Sequence, residues 1–182
     1  MYFRLKVSKT IQAIGVLFRF EGVCRMNYMR LLKLLYIADR EALRETGRPI
    51  TGGPVVAMER GPVLLEVYDL IRGQHREMPL WDEHFRTDRF DLKRIHDPDV
   101  GQLSKYEIRK LQEIAKRHAD DDEWQLSRIT HEFPEWKKNE PGQTPRPIPL
   151  EDTLEAVGQS QAVERILGEA CEKAHMEQLL GR

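Results

Sequence analysis

The stretch RLLKLLYIADREALRETG, residues 30–47, is apolar almost all the way round at first and then turns abruptly to charge. At 100° per residue, Met29, Leu31, Leu32, Leu34, Leu35, Tyr36, Ile37 and Ala38 leave only Arg30 and Lys33 as a polar strip. A helix coated in this way has to be surrounded by packed neighbours. Asp39, Arg40 and Glu41 then switch the polarity, Ala42 and Leu43 keep one face apolar, and Gly47 stands where a left-handed residue stops a helix. The segment predicts a central helix with one end buried, Leu32, Leu35 and Ile37 in the core, and the other end emerging.

The rest of the chain supplies covering elements. Ser8 is placed to cap a first helix running to about Glu21, where Gly22 breaks it; Asn27 is placed to cap the central helix, and these two helices are expected to pair. Val55, Val56, Ala57 and Met58 form a short β-prone run, Gly61 turns the chain, and Pro62 suits the first turn of a helix closed by Gly73. EHFRTDRFDLKRI reads as a hairpin turning at Thr87 and Asp88, so that three strands share one sheet. SKYE, with Ser104 and Glu107, is a capping box. Trp124, Leu126 and Ile129 lie on a short helix ended by Pro134, and EPGQTPRPIP, residues 140–149, is an extended surface connector. A last helical region from Leu150 breaks at Gly158. The expected fold is mainly α: a compact multi-helix domain around the buried helix, with a small antiparallel β-hairpin or three-stranded sheet, residues 1–182 forming a single domain.

Composition narrows the class. No stretch reaches the roughly 18 uninterrupted apolar residues of a membrane span, and the N-terminal IQAIGVLFRF lacks a signal-peptide cleavage site, so a cytoplasmic protein with no membrane partner is expected. Cys24 and Cys171 make no metal or redox spacing. Charge is uneven along a chain of net −1: residues 1–50 sum to +6 and residues 151–182 to −4. The basic half invites a DNA-binding regulator of its own operon as the alternative function. A pI of about 6.6 and the lack of a helix with clustered Arg, Asn and Gln argue against a nucleic-acid partner.

Chemistry is harder to find. THE at 130–132 begins like the zinc-protease pattern, but Glu135 stands where the second histidine belongs, and no other histidines share a helix face at i,i+4. GQSQA, residues 158–162, lacks the second glycine of a nucleophile elbow, and GPV and TGG are turn chemistry. No catalytic, cofactor or metal site is expected, and the chain reads as a non-enzyme without cofactors. The notable residues lie between elements: Asp39 and Arg40 as an ion pair where the helix emerges, Gly61 and Pro62 at a turn, and His131, Pro134 and Trp136 as an aromatic plug whose histidine caps nearby carbonyls.

Four blocks in order, LLKLLYIADRE, GRPITGGPVVAMERGPVLLEVYDL, LSKYEIRKLQEI and WQLSRITHEFPEW, resemble the Panacea domain of SocA-like antitoxins, also called phage-associated GepA-like. The resemblance covers about residues 5–157 and leaves a C-terminal helical extension, about 158–182. One residue, Glu135, separates Pro134 from Trp136, which the family pattern joins. The resemblance implies an antitoxin that neutralises a bacterial or phage toxin by direct binding, with a protease as a further partner where the antitoxin acts as an adaptor. It marks Tyr36, Asp39, Arg40, Gly61, Pro62, Tyr68, His131, Pro134 and Trp136 as motif or partner-binding positions. Exposed parts of the helices and the region after Pro149 are the expected toxin contacts; the acidic tail with Met176, Leu179 and Leu180 suits such a contact, and packing of the last helix onto the core is the equal alternative for these three residues.

Overall fold

A computed structural model describes residues 2–179. In order, the chain forms α1 (Val7–Glu21), β1 (Arg25–Asn27), α2 (Tyr28–Thr46), β2 (Val55–Met58), β3 (Gly61–Leu64), α3 (Leu65–Ile71), α4 (Met78–Asp82), β4 (Phe85–Asp88), β5 (Asp91–Arg94) and α5 (Lys105–Arg117). There follow α6 (Glu123–His131), α7 (Pro134–Lys138), β6 (Arg146–Ile148), α8 (Leu150–Ala156), a 3-10 turn (Ser160–Ala162) and α9 (Val163–Leu179).

The central helix is α2. The Asn27 side chain accepts from Met29 N and Arg30 N, at 2.9 and 3.2 Å, and Gly47 at φ 72° closes it with a bond to Leu43 O. Burial runs unbroken from Leu31 to Asp39, and Leu32, Leu35 and Ile37 are core residues. The expected polar strip is therefore no route to solvent. Lys33 is 1% exposed, and Arg30 is covered by Glu21 and by the carbonyls of His118 and Asp121.

Helices α5 and α6 flank α2. The pairing expected between α1 and α2 is replaced by a bridge, because α1 packs chiefly on α5 and α4 and α2 packs on α5 as well, with the Arg30–Glu21 ion pair joining the two helices directly. Both bonds of the Ser104–Glu107 capping box form, and Leu111, Ile114 and Ala115 give α5 its buried stripe. Ser8 does not cap α1; the helix begins earlier, and the Ser8 hydroxyl bonds Gln102 instead.

Two three-stranded antiparallel sheets form in place of one, in the orders β1-β5-β4 and β3-β2-β6. In the first, the turn falls at Arg89 and Phe90, with Arg89 left-handed at φ 55°, and not at Thr87 and Asp88, which pair with Leu92 and Asp91. Alternation misled here: Leu92 is in the core, whereas Phe90 sits exposed at the hairpin tip. In the second sheet Pro62 lies within β3 opposite Ala57, and helix begins only at Leu65. An edge strand tolerates the missing N–H. The proline-rich connector also gains structure, as its residues 146–148 pair with β2 as strand β6.

The C-terminal region folds back over the end of α2. Gly158 breaks the helix at φ 82°, and Ile166 and Ala170 of α9 pack with Leu43, Phe3 and Leu154. Beyond Ala170 the side chains of Met176 and Leu179 are exposed. Leu180, read with them as an apolar anchor, lies outside the described residues. Among the described residues no helix is long and apolar enough to cross a membrane.

Candidate functional site

Lys33, Tyr36 and Arg40 recur at helical spacing along one side of α2, and with Asp39 they reach nearly every motif element downstream. The first contact is with the β2–β3 hairpin. Lys33 Nζ donates to Pro62 O at 2.8 Å, and its burial pulls the ammonium pKa down to about 7. Gly61 is required here for two reasons. Its φ is +101°, and a Cβ would stand 2.6 Å from Thr130 Oγ1 and 2.8 Å from Lys33 Nζ.

The second contact is with α6 and α7. Tyr36 Oη donates to Glu135 Oε1 at 2.8 Å, and Arg40 Nε donates to the same oxygen at 2.7 Å. Arg40 also lies over the Phe133 ring, 4.2 Å from its centroid. The Glu135 side chain is fully buried, so this charge-assisted pair is shielded from solvent. Burial, with the Glu135 charge beside it, holds the Tyr36 hydroxyl well above its ordinary pKa. Glu135 was legible in the sequence as a histidine that is missing and as the residue parting Pro134 from Trp136; in the fold it is the acceptor on which α2 and α7 meet.

The third contact ties the exit of α2 to the loop before β2. Asp39 accepts from Ile50 N, Thr51 N, Thr51 Oγ1 and Gly52 N, at 2.9, 2.9, 2.6 and 3.0 Å. Burial raises its pKa against the pull of these four bonds. The ion pair expected between Asp39 and Arg40 does not form: Asp39 is fully engaged by the loop, and Arg40 turns to Glu135.

His131 stacks on Trp136 with centroids 4.1 Å apart and planes 20° from parallel, and Trp136 Nε1 donates to Met58 O at 3.2 Å. The plug is thus aromatic, as expected; the indole caps the Met58 carbonyl, and the His131 imidazole also bonds to the backbone at Glu59. Among the described residues His131 Nε2 has no hydrogen-bond partner, and its pKa is lowered by burial and then by the Lys33 charge. Pro134 opens α7, and α6 has already ended at His131.

Eight of the nine motif residues therefore lie in or beside one connected region around α2. Tyr68 lies apart from these contacts, on α3, with its ring 6.3 Å from that of Tyr28 at the start of α2 and the Arg72 guanidinium over its face, 5.1 Å from the centroid. The residues that sequence reasoning missed are Lys33, Thr51, Thr130, Phe133 and Glu135. One signal pointed to Lys33: a lysine three residues before Tyr36 and seven before Arg40, on a helix apolar elsewhere, marks a polar seam that needs buried partners. Chemically the region is a lock, since its carboxylates and hydroxyls are committed to one another or to backbone. Among the described residues no three His, Cys, Asp or Glu side chains gather as a metal site.

Residues 31–137 match the family model described as Antitoxin SocA-like, Panacea domain. The match runs from the first turn of α2 into α7 and so contains Lys33, Asp39, Arg40 and Glu135. No curated protein and no solved structure matches the chain.

Proposed function

The chain belongs to the SocA-like antitoxin family defined by the Panacea domain, and on that premise we propose that it neutralises a cognate bacterial or phage toxin by direct protein contact. Family membership is the observation that carries this reading. The buried seam of α2 supports it, because a helix cross-linked to a hairpin, a loop and α7 is a rigid base from which outer surfaces are presented without a large ordering cost. The C-terminal helices α8 and α9 lie outside the family match and carry Met176 and Leu179 exposed, which suits a partner-specific contact.

The test is co-expression with the protein encoded by the adjacent reading frame. Rescue of growth together with co-purification supports neutralisation by contact, and a full chain that neither binds nor rescues overturns it. A chain ending at Pro149 addresses the determinant: if it folds and still rescues, the toxin is held by surfaces before α8. Delivery of the toxin to a protease belongs to the same proposal and predicts a shorter toxin half-life when the antitoxin is present.

A further inference from the structure

A cavity of about 420 Å³ lies between the C-terminal half of α2, the loop before β2, β6 and the start of α8. Its volume falls in the range of small-molecule pockets. Phe3, Leu43, Val56, Ile148 and Leu150 supply apolar wall, and Tyr36, Asp39 and Arg40 bring polar side chains to it from α2. Two of these three are spent: Asp39 is saturated by the loop, and the Tyr36 hydroxyl goes to Glu135.

Arg40 differs. Glu135 engages its Nε closely, at 2.7 Å, and its Nη2 only loosely, at 3.4 Å. Among the described residues Nη1 has no hydrogen-bond partner, although the guanidinium is fixed in place by the Phe133 ring. An apolar pocket reached by the unused donors of a positioned guanidinium is complementary to an anion carried on an apolar body, and a planar carboxylate matches the fork of those donors best.

The cavity's edge excludes a peptide added as a strand. Proline has no N–H, so the Val56–Pro147 pair is a non-hydrogen-bonded one, and β6 turns the donor-less side of Pro147 outward at its centre. Its neighbours Arg146 and Ile148 face their N–H groups towards β2. We propose that the cavity binds a small apolar carboxylic acid of the medium-chain fatty acid type, with its carboxylate on the open edge of Arg40 and its hydrocarbon along Leu43, Val56 and Ile148.

Octanoate is the probe, titrated into the full chain by calorimetry. Saturable binding at one site per chain is expected, with octanol, equal in length but uncharged, at least about tenfold weaker, the ratio that one charge-assisted hydrogen bond supports. Arg40→Lys should weaken octanoate by about tenfold and leave octanol unchanged. Leu150→Trp, which fills the mouth from a half-buried wall position, should abolish binding of both while the melting curve stays cooperative; it keeps the test decisive if Arg40→Lys fails to fold. Lack of saturation at millimolar octanoate, equal binding of octanol, undiminished binding by Leu150→Trp, or binding of a peptide C-terminus where octanoate does not bind would each overturn the proposal.

Discussion

Raising the pH from 7 to 9 is expected to stabilise this protein through Lys33, and replacing Lys33 by methionine should abolish that contribution. The side chain is 1% exposed, and its pKa falls from the ordinary 10.5 to about 7 because burial penalises the ammonium. Below pH 7 the folded and unfolded chains both carry the proton, and the folded one holds a buried charge. Between pH 7 and 10.5 the unfolded chain binds a proton that the folded chain does not, so stability rises with pH; above 10.5 it levels off. At 1.36 kcal/mol per pH unit the whole window amounts to about 5 kcal/mol, and the step from pH 7 to 9 to about 2–3 kcal/mol. Lys33→Met keeps the unbranched stem of the side chain but ends it one atom short, removing the ammonium and its proton. It also leaves the Pro62 carbonyl without its donor, a cost of about 1–3 kcal/mol that does not vary with pH. The decisive quantity is therefore the difference between variant and wild type at pH 7 minus the same difference at pH 9, in which groups titrating alike in both chains cancel. Urea unfolding followed by circular dichroism at constant ionic strength measures it. Parallel stability curves for the two chains across pH 7–9 would refute the reasoning.

Other perturbations follow from the same structure. Leu35→Ala, at a fully buried position of α2, should cost about 2–5 kcal/mol in urea unfolding. Gly61→Ala combines a left-handed backbone with overlap on Thr130 and Lys33, and about 2–4 kcal/mol of destabilisation should appear as a lowered melting temperature. Asp39→Ala strips three backbone N–H groups of their acceptor and should cost at least about 3 kcal/mol, with the loop before β2 losing hydrogen-exchange protection first. Lys110, held between Glu41, Glu45 and Glu113, keeps Glu45 ionised down to about pH 2; stability should fall as the pH drops from 4.5 towards 2, less steeply in Lys110→Met, as acid titration monitored by fluorescence would show.

Local signals in the sequence determined much of the framework. Asn27 and Gly47 bound α2, Ser104 and Glu107 open α5, and Val55 to Met58 form a strand, because caps, left-handed stops and β-branched runs act over a few residues and need no distant partner. Tertiary structure decided what periodicity and turn chemistry leave degenerate. Pro62 suits a helix start and an edge strand equally, and only pairing with Ala57 makes it strand; Phe90 and Leu92 alternate alike, and only the hairpin register exposes one and buries the other. The same holds for the site. Lys33 on a helical wheel is a polar strip, and Glu135 in a linear motif is a missing ligand. The pairings of Lys33 with Pro62 and of Arg40 with Glu135 join residues 29 and 95 positions apart. A charge is buried or exposed according to what the rest of the chain packs against it, and no local rule contains that information.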